Sequence, residues 1–85
     1  MLTSEIIHGR VHAWILEQFP LAAERTIGTN DKLLDSGIVD SLGTLEIVNF
    51  IEQEFGVPVA DEDMLADHFE TVDAISRFVC SKALS

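Results

Sequence analysis

Residues 37–56 read Gly37-Ile38-Val39-Asp40-Ser41-Leu42-Gly43-Thr44-Leu45-Glu46-Ile47-Val48-Asn49-Phe50-Ile51-Glu52-Gln53-Glu54-Phe55-Gly56. This stretch holds a start signal, a helical period and a stop signal. Asp40 is a good N-cap, because a short carboxylate accepts from the unpaired N–H groups of a first turn. Gly56 follows Phe55 as a stop, since glycine takes the left-handed conformation that ends many helices. At about 100° per residue, Ile47, Val48, Ile51 and Phe55 share one side, flanked by Phe50. The opposite side carries Leu42, Leu45, Glu46, Asn49, Glu52 and Gln53. Two leucines therefore stand among acids and amides. They are either ordinary surface or half-buried leucines, or an apolar spot ringed by carboxylates that suits transient docking.

The flanks supply the rest of an all-α pattern. Upstream, Ile7, Val11, Trp14, Ile15 and Phe19 recur at three- and four-residue steps, which predicts a helix over about 4–19 with Thr3 or Ser4 as cap. Trp14 reads as a core aromatic. Residues 20–40 are rich in turn formers, so they read as a long ordered loop pinned by Leu33-Leu34 and Ile38-Val39. Downstream, Val57-Pro58-Val59 is extended. Asp61, Glu62 and Asp63 suit the positive end of a short helix running to about Asp67 or His68, with Leu65 inward. Thr71 caps a last helix with Val72, Ile75, Phe78 and Val79 as its core stripe. The expected fold is a small antiparallel bundle of three longer helices and one short one, a single domain over residues 1–85.

Charge narrows the partners. The 85 residues hold 5 Lys and Arg against 15 Asp and Glu, a formal net charge of −10. Residues 31–73 alone carry twelve acids against Lys32, a net of −11. Nucleic acid and anionic membranes need clustered cations, so neither fits. A positively charged partner protein does. No apolar run reaches the roughly 18–20 residues of a membrane span, and the N-terminal MLTSEIIHGR does not read as a signal peptide. One cysteine, Cys80, makes an internal disulfide framework impossible. A monomeric cytoplasmic domain is the expectation.

Catalytic motifs fail one by one. His8 and His12 have the i, i+4 spacing of half a metal site, but no acid stands in the needed place, and a solvated face is expected instead. A calcium-loop reading of Asp61, Asp63 and Asp67 fails at Ala66 and Val72, which stand where glycine and the closing glutamate belong. No G-x-S-x-G elbow and no glycine-rich phosphate loop occur. Cys80 reads as a small hydrophobe beside the last core stripe. Ser41 stays open: it is a common helix-start residue, yet its hydroxyl, with nearby N–H groups and the helix macrodipole, would also suit an attached phosphodiester.

The run Leu33-Leu34-Asp35-Ser36-Gly37-Ile38-Val39-Asp40-Ser41-Leu42, continuing as Gly43-Thr44-Leu45-Glu46-Ile47-Val48, resembles the phosphopantetheine attachment motif of the acyl carrier protein family. The tail Phe69-Glu70-Thr71-Val72-Asp73-Ala74-Ile75 resembles the start of that family's final helix. The resemblance implies a 4′-phosphopantetheine arm on Ser41, attached by a separate phosphopantetheinyl transferase from coenzyme A. It implies that Asp40 is the acid that helps the transferase's metal. It implies that Leu42, Leu45, Glu46, Asn49 and Glu52 meet partner enzymes. The chain would then be no enzyme but a carrier of acyl or aminoacyl thioesters, loaded by a ligase and read by downstream transferases with basic docking patches. Ile38-Val39 stands where housekeeping fatty-acid carriers usually read Gly-Ala. The run is closer to free-standing aminoacyl, peptidyl or D-alanyl carriers of specialised pathways. Residue pattern alone also allows an acidic adaptor that binds basic partners and bears no arm.

Overall fold

The described residues form four α-helices and two single 3₁₀ turns: α1 Ser4–Gln18, α2 Pro20–Arg25, α3 Ser41–Phe55, the turns Asp61–Asp63 and Ala66–His68, and α4 Val72–Ala83. The computed structural model describes residues 3–34 and 36–84, and no strand occurs among them. Asp35, part of the attachment-like run, lies outside the described residues.

The helix boundaries follow local chemistry. Thr3 Oγ1 accepts the Ile6 N–H at 3.2 Å and Thr71 Oγ1 accepts the Ala74 N–H at 2.9 Å, so each hydroxyl satisfies a first-turn donor. Gly56 ends α3 at φ 66, donating its N–H to Glu52 O at 3.1 Å.

The apolar stripes meet where the period predicts. Ile7, Val11 and Ile15 of α1 are buried with Val72, Ile75 and Val79 of α4, the helix with which α1 makes its most extensive contacts. Ile47 and Ile51 bring α3 into the same core, and Phe69 enters it from the segment before α4. Each such side chain stabilises the fold by about 1.5–3 kcal/mol, more than the exposed ion pairs Arg10–Glu54 and Arg77–Asp73, worth about 0–1 kcal/mol each.

Five expectations need correction. Residues 20–40 are not loop throughout, because Pro20–Arg25 forms α2. Pro20 stops α1 but fits the first turn of a new helix, where its missing N–H costs nothing. The loop proper spans residues 26–40. It is held by buried Ile27, Leu33, Ile38 and Val39 and by Leu33 N–H to Glu70 O at 2.8 Å.

The short helix expected near 61–68 is two 3₁₀ turns. The Asp63 carbonyl accepts from the Leu65 N–H and from His68 Nδ1, both at 2.9 Å, and so is diverted from an α-helical ladder. Leu65 consequently points outward and is 55% exposed, not inward.

Trp14 is half-buried, not fully in the core, and stacks on Phe50 at 4.4 Å. His8 and His12 are half-buried too, instead of facing solvent. His12 Nε2 lies 3.0 Å from Ile27 O, and His8 Nε2 is buried without a partner among the described residues.

Candidate functional site

The leading edge of α3 is a fixed platform. Gly37, at φ 78, turns the chain in a conformation that side chains with a Cβ resist. Val39 donates its N–H to Leu33 O at 3.0 Å and buries its side chain, which anchors the approach. Asp40 is extended, and its Oδ1 accepts the Gly43 N–H at 2.7 Å. Thr44 then binds the Asp40 carbonyl through both its N–H, at 2.9 Å, and its hydroxyl, at 3.1 Å.

Gly43 sets how closely this turn approaches Phe19, the residue between α1 and α2. A Cβ on it would lie 2.8 Å from Phe19 Cε1 and 3.0 Å from Val39 Cγ1. Only a hydrogen at that position lets the start of α3 sit on the Phe19 ring.

On this platform Ser41 is the first helical residue and is exposed. The Ser41 and Leu42 N–H groups precede the intrahelical ladder and leave partial positive charge at the helix start. Beside them opens a groove of about 530 Å³. Leu34, Val39, Met64, Leu65 and Phe69 form its apolar wall, with Asp40, Ser41 and Thr44 at the rim. The residues present fit a phosphodiester-linked chain: an open hydroxyl, first-turn donors for an anion, and an apolar wall for the chain beyond it.

The exposed face of α3 brings the other expected residues together. Leu42 is 71% and Leu45 56% exposed, so the two leucines are true surface residues. Glu46, Asn49 and Glu52 are exposed alongside them. One Glu52 oxygen is already committed, accepting the Val59 N–H at 3.1 Å. That bond ties down the extended segment after α3, so Glu52 has a structural task as well as a surface position.

The remaining candidates do not assemble. Asp63 is engaged by Lys82 at 3.5 Å and by the Ala60 N–H at 3.2 Å. Among the described residues no cluster of three His, Cys, Asp or Glu side chains could hold a metal ion. Cys80 is half-buried, and burial pushes its thiol pKa up, which disfavours the reactive thiolate. No helix among the described residues is long and apolar enough to cross a membrane.

Sequence reasoning missed the role of Gly43 and the groove wall. Gly43 did carry a signal, since glycine inside a helix costs about 1 kcal/mol relative to alanine and calls for a packing reason. Met64 and Phe69 carried none, because their place beside Ser41 depends on how the 3₁₀ segment folds back.

A family model described as a phosphopantetheine attachment site matches residues 10–79.

Proposed function

Since the chain belongs to the phosphopantetheine-attachment family, whose domain is a non-catalytic carrier bearing that group covalently on a serine, we propose that Ser41 is the serine that bears it. The observation that carries this reading is the exposed Ser41 at the capped start of α3, beside an apolar groove. Asp40 holds the turn through Gly43, so the hydroxyl is presented at a fixed place. The first-turn N–H groups favour the phosphate of the ester. Leu34, Met64 and Leu65 offer an apolar surface to what extends from it. When attached, the group supplies a thiol that holds an acyl or aminoacyl cargo as a thioester. A tether of this kind raises the effective concentration of cargo at a docked enzyme.

The reading takes the chain as one carrier domain over residues 1–85, monomeric and cytoplasmic, that acts as a tethered cosubstrate. The Ile38-Val39 pair supports a discrete aminoacyl, peptidyl or D-alanyl type, loaded by a separate adenylating ligase. Leu42, Leu45, Glu46, Asn49 and Glu52 form the face offered to the basic patches of the transferase, the ligase and downstream enzymes. Their exposure and the −10 net charge support that role.

The test is incubation with coenzyme A and a broad-specificity phosphopantetheinyl transferase. The wild-type chain gains one arm and Ser41→Ala gains none while keeping its helical circular dichroism. A chain that stays unmodified beside an active transferase would favour the acidic adaptor instead.

A further inference from the structure

A second groove, of about 510 Å³, opens between α1 and α3. Trp14, Leu45 and Phe50 give it an apolar floor. Gln18, Asn49 and Gln53 stand at its polar rim with Glu46. Leu45 belongs to this groove and lies four residues along α3 from Ser41, about 6 Å at helical rise. We propose that the arm-adding transferase docks a basic segment with one large aliphatic side chain into this groove, which makes Trp14 and Gln18 of α1 part of the recognition face. The inference rests on the reading of Ser41 given above.

Size makes the contact hard to avoid. A standard interface covers about 800 Å² per partner, a patch roughly 28 Å across. The backbone of the described residues extends over 33 × 26 × 19 Å. An enzyme centred on Ser41 therefore covers Leu45 and reaches the groove beyond it.

Charge selects the occupant. The chain has five Lys and Arg residues in all. Arg10 pairs with Glu54, Arg77 with Asp73, Lys32 with Glu70 and Lys82 with Asp63, while Arg25 binds the Ser36 carbonyl. None of them lines this groove. Glu46 is exposed and has no cationic partner among the described residues, so its charge is open to a cation on the partner.

The floor suits an anchor. Trp14 is held flat against Phe50 at 13° between planes, so its remaining surface is offered without further loss of side-chain freedom. Rigid tryptophans with an adjacent exposed leucine are the kind of residue on which binding energy concentrates. The rim amides add donors and acceptors that fix orientation.

The chain has a single tryptophan, which makes the contact directly observable. The probe is a broad-specificity phosphopantetheinyl transferase, added to Ser41→Ala carrier labelled with 5-fluorotryptophan so that no turnover intervenes. The single ¹⁹F resonance is expected to shift on binding. In arm-transfer kinetics on chains with Ser41 intact, Gln18→Lys is expected to raise KM about fivefold at unchanged kcat, because it sets a like charge against a basic segment. Gln53→Lys on the α3 rim should do the same, and both effects should shrink at high salt. Ala13→Lys places the same charge on an exposed position of α1 outside the groove and should leave KM within about twofold. An unmoved resonance, or equal effects of Gln18→Lys and Ala13→Lys, would overturn the inference and leave the Ser41 reading intact. Absence of arm transfer to the wild-type chain would overturn both.

Discussion

Asp40 Oδ1 accepts the Gly43 N–H at 2.7 Å, and this bond closes the turn on which Ser41 is the leading residue. The same acid thus serves the fold through its cap and, on the functional reading, the transferase through its charge.

The two tasks separate by substitution. Asp40→Ala removes the cap and is expected to cost about 1 kcal/mol, roughly 4–8 °C in Tm for a domain of this size. Asp40→Asn keeps a capping oxygen and should stay close to wild-type stability, while arm transfer falls in both variants. Thermal melts and transfer rates on the two variants check this. Equal transfer by Asp40→Asn and wild type would remove the acid from the functional account.

Gly43→Ala is expected to destabilise by about 1–3 kcal/mol despite alanine's better helix propensity. The added methyl would meet Phe19 Cε1 at 2.8 Å and Val39 Cγ1 at 3.0 Å. Denaturant melts give the value. In a double-mutant cycle with Phe19→Leu, the two losses should combine to less than their sum, because the smaller side chain relieves the clash.

Salt should stabilise the domain. With a net charge of −10, repulsion among carboxylates outweighs the few exposed ion pairs, which are worth little individually. Tm is expected to rise between about 10 and 300 mM sodium chloride as screening shortens. A falling Tm would mean that the ion pairs dominate.

Cys80 gives a pH dependence with a definite sign. Desolvation raises its folded pKa, so the folded chain keeps its proton at a pH where the unfolded chain has lost it. The contribution is fully present below the unfolded pKa and is lost as pH rises through the folded value. Alkylation of Cys80 near neutral to mildly alkaline pH should therefore be slower in the native protein than in urea. Cys80→Ala should flatten the alkaline decline in stability.

The parts legible in the sequence were those governed by local chemistry. Asp40, Gly56 and Thr71 act through bonds within four residues, so their caps and stops stand where the pattern puts them. The stripes Ile7, Val11, Ile15 and Val72, Ile75, Val79 are periodic over several turns and point into the core as expected. Helix α2 was hidden because six residues are too few to show a period, and Pro20 signals both an end and a beginning. Leu65 was misplaced because a helical wheel has no meaning across two 3₁₀ turns joined by extended backbone. Both grooves depend on contacts between segments far apart in the chain, such as Trp14 on Phe50, which spacing alone cannot pair.

The most direct test of the central claim is a fragment mass spectrum of the chain after reaction with coenzyme A and a broad-specificity transferase. The account predicts one phosphopantetheine per chain, confined to the fragment containing Ser41. An arm on any other residue, or none after transfer to a control carrier in the same mixture, would contradict it.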